Sequence, residues 1–435
     1  MKKVVMIITV LLLSTTVFAG GTRVNAMGGI FSLIESTNYS VFPQRLLTGS
    51  ELACIGDNGG EWGLVRLKLN NFLNLPVPIA WQIKAEYDEV WINDLYNLVN
   101  LGGWYTGMQN GGGFDGASQR INSIFAVGIN KELIVGLSVK MYSNSVTHEE
   151  DYVELVTETE LAFDYSLFGL ETVWGGTYML GGDDFVDVGI IFDTWGWEVS
   201  RTVLDDEVYD VNRSKSDGIM KYGINARYYK TGAKVDYAPY IGFDTYSFNT
   251  YEGIHDPLVD LEPLTAEEKN KYEGSVFNFK MGSGIHYKPA EGVKVYNELE
   301  FAYQSVTATI DIWSVGKEEY VETMMTLLPI YRCGVEIIKE IDPKTWWGFN
   351  KVQLWGGFNK TFTGEWNEYK YTPDGATFSP SDDNSLAVDE GINVTTGAAL
   401  SNGNFKFEFA MDVSALAYDD AALNGVDFDL VYYFK

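Results

Sequence analysis

Long runs of strict period-two alternation constrain this chain more than any other feature. From Val293, the odd positions Val293, Val295, Leu299, Phe301 and Tyr303 are apolar, while Lys294, Glu298, Glu300 and Gln304 are polar. Phe277, Phe279, Met281, Ile285 and Tyr287 alternate with Asn278, Lys280, Gly282, Gly284 and His286. Phe405, Phe407, Phe409, Met411 and Val413 alternate with Lys406, Glu408, Ala410 and Asp412, and 133–141, 222–228 and 235–243 repeat the rhythm. Successive side chains on a strand point to opposite faces, so each run is a strand with one apolar and one polar face.

A soluble sandwich also alternates, but two features separate the cases. The runs extend over about 12 to 20 residues, against ~5–6 for a globular strand and ~9–11 for a tilted bilayer crossing. The connections are also unequal. One set is tight, at Asn130-Lys131, Thr231-Gly232, 288–292, 341–344 and Asn402-Gly403, and the other is long and acidic. Short periplasmic turns opposed to longer external loops characterise outer-membrane barrels. The physical cause is the bilayer, where backbone amides must be paired and only a closed sheet pairs them all. The sequence thus predicts an all-β fold, a transmembrane antiparallel β-barrel.

If the tight turns share one side, an even number of crossings separates any two of them. Five alternating segments fall between Lys131 and Thr231. The apolar parity switches from Leu161, Phe163, Tyr165 and Leu167 to Leu170, Trp174, Tyr178 and Leu180. A bulge produces such a switch within one strand, so 157–181 reads as one bulged crossing and 181–184 as a periplasmic turn. A second switch near Asp193 reads as another bulge. The total is about 14 crossings, within about 12 to 16, from 76–86 to 426–435. The segment 61–69 alternates but would make the count odd, and is placed in the lumen or at the periplasmic rim. The domain reading is a signal peptide at 1–19, a lumen-plugging N-terminal segment at 20–60, and the barrel at 61–435.

Lys2 and Lys3 precede an apolar run at 4–18, and Val17 and Ala19 suit signal-peptidase cleavage after Ala19. The run is short for a span of ~20 residues. Secretion and the barrel pattern together place the chain in the outer membrane of a Gram-negative-type bacterium. The formal net charge of −29 excludes nucleic acid as a partner, because phosphate neutralisation needs clustered Lys and Arg. Cys54 and Cys333 are read as two free thiols rather than a disulfide framework.

The mature N-terminus reads Gly-Gly-Thr-Arg-Val-Asn-Ala-Met-Gly-Gly-Ile over 20–30, followed by Val41-Phe42-Pro43-Gln44-Arg45-Leu46-Leu47. This resembles the opening of the long-chain fatty-acid transporter (FadL-like) and PorV-like outer-membrane proteins. Those proteins open with a Gly-Ala-Arg-Ala-Met-Gly-Met-Gly-Gly-like segment and an Asn-Pro-Ala turn before a barrel of about 14 strands. The resemblance covers the first tenth of the chain and implies a hatch folded into the lumen, with Met27, Phe31, Tyr39, Phe42 and Pro43 as its apolar anchors. Phe42-Pro43-Gln44 departs from Asn-Pro-Ala, so ligand chemistry is not carried over. At the other end Phe428, Leu430, Tyr432 and Phe434 resemble the terminal signal read by the barrel-assembly machinery, although Lys435 follows the final aromatic.

The polar strand faces give the lumen candidates: Lys140, Arg227, Lys234, Asp236, Lys280, His286, Lys294, Glu298, Glu300, Lys406 and Glu408. No catalytic or metal-binding set stands out, and no enzyme activity or cofactor is expected. His148 and His255 fall in expected acidic loops. His286 lies on a polar strand face near Lys280 and Lys288. The acidic runs around Glu149–Glu160, Asp205–Asp210 and Asp382–Glu390 suit hard divalent cations. None has EF-hand spacing, and like charges also keep loops soluble and splayed, which is the stronger reading. The glycine-rich stretch 102–116 lacks the Lys-Ser/Thr and βαβ context of a phosphate loop, and 91–98 has the spacing of a short amphipathic helix.

Three functions fit. The first is a transporter or channel for small apolar molecules with an N-terminal hatch. The second is a general diffusion porin. The third is a non-transporting scaffold for a secretion or surface-attachment partner. Expected partners are outer-membrane lipid, lipopolysaccharide and the barrel-assembly machinery, with a small apolar ligand for the first reading.

Overall fold

The computed structural model describes residues 39–57, 61–73, 75–88, 118–154, 157–204, 211–216, 218–254, 270–312, 318–345, 348–362, 364–372, 381–383, 392–413 and 426–434. The signal peptide, Met27, Phe31, 91–98, 102–116, His255, Asp205–Asp210 and Asp389–Glu390 lie outside them.

The strands are β1 (Leu52–Asp57), β2 (Glu61–Lys68), β3 (Ile79–Asp88), β4 (Ser118–Gly128), β5 (Leu133–Glu154), β6 (Thr157–Gly181) and β7 (Asp184–Leu204). They continue as β8 (Val211–Ser216), β9 (Ile219–Tyr229), β10 (Val235–Ile254), β11 (Asn270–Ala290), β12 (Val293–Ile312) and β13 (Glu318–Glu340). The last are β14 (Lys351–Thr361), β15 (Gly364–Thr372), β16 (Ser381–Asp383), β17 (Ile392–Ser401), β18 (Phe405–Asp412) and β19 (Val426–Tyr433). β8 and β9 both pair with β7 and β10. β14 and β15 both pair with β13, and β16 and β17 complete the neighbouring crossing. The stretches therefore make 16 antiparallel crossings, closed into a barrel by β1 against β19.

The count corrects the expected 14. The two extra crossings are β1 and β2, so the wall begins at Leu52 rather than Glu61, and 61–68 is wall rather than lumen or rim. On β1 the alternation is weak for a physical reason. The inward face at this seam is itself apolar, with Cys54, Leu64 and Val431 packed beside Leu52 and Tyr433. Where both faces are apolar, period two vanishes. Adding a pair of crossings keeps the sidedness of every turn.

The parity argument otherwise gives the right chain path: 157–181 is one strand, and Gly181-Gly182, both at positive φ, turn it into β7. The expected bulges are absent. β5–β6 pairing runs in register from Tyr178 to Thr157, and β6–β7 pairing shifts only between Met179 and Gly181. Parity changes because a strand of 25 residues, about 80 Å long, outruns the bilayer, and beyond lipid nothing requires an apolar outer face. The same length corrects the placement of His148 and the Glu149–Asp151 run, which lie in β5 and not in a loop.

Side-chain chemistry turns the barrel inside out relative to a soluble protein. Trp174, Phe168, Met281, Leu299, Phe301 and Phe407 are exposed on one face, at up to 60% for Trp174, while Arg227, Asp187, Glu298 and Glu336 are buried on the other. The tight turns carry their own chemistry. Asn130 Oδ1 accepts the amides of Glu132 and Leu133 at 2.8 Å each, and Asp184 Oδ1 accepts Thr231 N–H at 2.8 Å, tying adjacent turns.

Candidate functional site

Residues 39–49 precede the first strand and pack against the inner wall. Pro43 starts a 3-10 turn, Pro43–Thr48, where its missing N–H costs nothing. Arg45 N–H reaches Phe42 O at 3.0 Å, Gly49 N–H reaches Leu46 O at 3.1 Å, and Thr48 Oγ1 donates to Arg45 O at 2.7 Å. The local fold turns Phe42, Gln44, Arg45 and Leu46 all into buried positions.

The contacts run across consecutive strands. The Arg66 guanidinium of β2 lies 4.6 Å from the Tyr39 ring centroid. Tyr39 and Leu46 pack with Ala80 of β3 and Ile124 and Ala126 of β4. Gln44 Nε2 donates to Gly176 O of β6 at 3.1 Å. Arg45 sits over Phe185 of β7 at 3.1 Å, and Arg227 of β9 over Phe42 at 4.5 Å. So short a segment reaches so many successive strands only from the concave side, which fixes this face as the lumen. Close approach needs room, and the wall supplies it with glycine. A Cβ on Gly136 would strike the Gln44 backbone, one on Gly175 the Gln44 side chain, and one on Gly189 the Val41 carbonyl.

Asp187 is the hub. It is fully buried and accepts Arg45 Nε at 2.8 and 3.0 Å, Arg227 Nη2 at 2.8 Å and Thr177 Oγ1 at 2.5 Å. Burial pulls the Arg45 guanidinium down to about 10 against the raising effect of Asp187, so it remains a cation at neutral pH.

The candidate lumen residues occupy several clusters. Glu298 and Glu300 share Arg332 at 2.7 and 3.1 Å, and Tyr240 donates to Glu300 at 2.7 Å. Glu336 receives Tyr296 at 2.9 Å and Trp355 Nε1 at 3.2 Å, with Lys294 at 3.8 Å. Lys288 pairs with Asp236 at 2.8 Å, and His286 Nδ1 lies 3.4 Å from Tyr229 Oη. Lys406 pairs with Glu408 and lies 5.4 Å from the Trp355 ring. Lys140 pairs with Glu171 at 3.1 Å. Lys280 is half-buried on β11. Lys234 is exposed in the turn before β10, and its carbonyl accepts the Lys288 N–H of β11 at 2.8 Å.

Of the candidates, Arg227 touches the segment 39–49. Asp236, Lys294 and Glu298 pair along the wall with Lys288, Glu336 and Arg332. Sequence reasoning missed Gln44, Arg45, Thr177, Asp187, Arg332 and Glu336. The available signal was Asp187 as a lone acid opposite Val186 and Val188, in a wall of glycines. Tyr39, Phe42 and Pro43 lie in the seated segment. On β19, Leu430 is exposed, and Tyr432 meets Phe434 edge-on at 5.5 Å. Cys54 and Cys333 are free thiols.

No family model and no curated protein matches the sequence. Among solved structures, the chain is similar to the toluene transporter TbuX of Ralstonia pickettii at 12% identity, over 97% of this chain and 100% of that one, with a TM-score of 0.36. It is similar to the ferric yersiniabactin uptake receptor FyuA of Yersinia pestis at 8% identity, over 89% and 80%, TM-score 0.36. It is also similar to CdiB of Escherichia coli at 8% identity and TM-score 0.37, covering 88% of this chain but only 62% of the CdiB chain.

Proposed function

We propose that this chain is an outer-membrane β-barrel that passes small apolar solutes through a lumen narrowed at its tight-turn end by residues 39–49. The observation that carries this reading is the Arg45–Asp187–Arg227 network, which anchors a non-strand segment to the inner wall. Its seat of glycines and apolar side chains supports a hatch of the kind that the N-terminal resemblance implies. The apolar outward face supports a lipid surround, since a closed sheet leaves no backbone edge in hydrocarbon.

Conductance in planar bilayers tests it. The full mature chain should conduct poorly. Deleting 22–49, which leaves β1 intact to close the barrel, should open a large and steady conductance. An intact protein that already conducts freely, unchanged by the deletion, would make this a general diffusion porin.

A further inference from the structure

The outer face of the wall is apolar because lipid surrounds it, and one amide on β12 breaks the rule. The outward residues of that strand run Val293, Val295, Asn297, Leu299 and Phe301, the last two strongly exposed. Asn297 therefore has apolar side chains on its own strand both towards the tight turn and away from it. Measured from Val293, it stands ~10 Å above that turn at the usual strand rise and a tilt of ~40°. That height lies inside an apolar band ~25 Å tall. Tyr331 Oη donates to Asn297 Oδ1 at 2.8 Å and occupies one of that oxygen's two lone pairs. Among the described residues, neither N–H of the same amide meets an acceptor. Hydrocarbon offers none, so the group is costly there unless another surface covers it.

The face around Asn297 leaves room for such a surface. Cys333 of β13 lies in register with Asn297, Gly356 of β14 with Val335, and Thr396 of β17 with Gly356. Ser283 is exposed on β11 in register with Leu299. A Cβ on Gly356 would meet nothing nearer than 3.9 Å, so the space above it is open. On β6, β7 and β9 the comparable height carries Trp174, Ile190 and Tyr222, all large and exposed. Small outward side chains let a second surface come close enough to hydrogen-bond within lipid, and large ones hold it off.

We infer that this face, centred on Asn297, is where a second copy of the chain docks in the membrane. A primary amide is self-complementary, because it donates, accepts and bears no charge. About a two-fold axis through Asn297, each Nδ2 donates to the amide oxygen of the other copy, which keeps one lone pair open for it. The contact is isologous and closes as a dimer. A charged partner finds no counter-ion here, since Ser283, Asn297, Cys333, Gly356 and Thr396 are all neutral. The contact lies outside the lumen, so it stands or falls separately from the pore reading.

The full mature chain, assembled in the outer membrane, carries a photoactivatable benzophenone amino acid at Val335, exposed beside this face, or at Ile190 as the control. Irradiation should give, from Val335, a product of twice the chain's mass made of this chain alone, and none from Ile190. Asn297→Leu should weaken dimerisation about tenfold by sedimentation equilibrium in detergent, the range of one or two hydrogen bonds in lipid. Leucine suits a lipid-facing position, so this variant should assemble. Gly356→Leu fills the open space and keeps the amide, and should weaken the dimer about threefold or more. Products with lipid alone or with a different protein, equal yield at Ile190, or a dimer indifferent to either substitution each overturns the inference.

Discussion

Two sectors of one wall, at the same tight-turn end, solve burial differently. On β2–β9 the inner face under residues 39–49 is rich in small side chains, with Ala80, Ala126, Gly136, Gly175 and Gly189, and Arg45 and Arg227 converge there on Asp187. On β10–β18 the inner face carries its own ions, paired strand to strand through Arg332 and Glu336. A wall that seats another segment gives up side-chain volume and takes its polar partners from that segment. A wall without one satisfies its charges laterally, and with redundancy: Arg332 has two acids, and Glu336 has several donors.

The difference can be broken at its hub. Asp187→Ala leaves Arg45 and Arg227 buried beside each other without their shared carboxylate. It should cost about 3–5 kcal/mol, read by urea unfolding from lipid vesicles. Protease access near Arg45 should rise with it. A loss under about 1 kcal/mol would mean that the seat does not depend on charge.

The facing of both sectors rests on a second, smaller effect. Phe407 is exposed on the outer face of β18, next to the inward pair Lys406–Glu408. Phe407→Lys should cost ~2–4 kcal/mol and lower assembly yield. Lys406→Phe should be milder, and equal assembly of the two variants would reverse the facing.

Redundancy in the β10–β18 sector predicts less. Glu300→Ala leaves Arg332 with Glu298 at 2.7 Å, so the loss should be about 0.5–1.5 kcal/mol by the same unfolding measurement. A loss matching that of Asp187→Ala would erase the contrast between the sectors. The smallest effect belongs to Lys140–Glu171, a half-exposed pair above the seat. Glu171→Gln should change stability by ~0.2–1 kcal/mol, less at high salt.

Legibility varied along the chain with what surrounds each strand. Phe301 and Glu300 were readable because lipid on one side and a polar lumen on the other impose opposite demands at every second residue. Leu52 to Asp57 was unreadable as wall because its lumen side is apolar too. Trp195 suggested a bulge because its parity departs from Phe192, although the backbone continues straight and the side chain points inward.

By itself the sequence determined the closed, antiparallel, two-faced sheet, the grouping of its tight turns at one end and the single crossing at 157–181. These follow from local periodicity and turn chemistry, which act within a few residues. Only the tertiary structure decided the number of crossings, the convergence of Arg45 and Arg227 on Asp187, and the gathering of Ser283, Asn297, Cys333, Gly356 and Thr396 on one side of the outer face. Arg45 and Asp187 stand 142 residues apart, and no local pattern carries a contact that barrel closure alone creates.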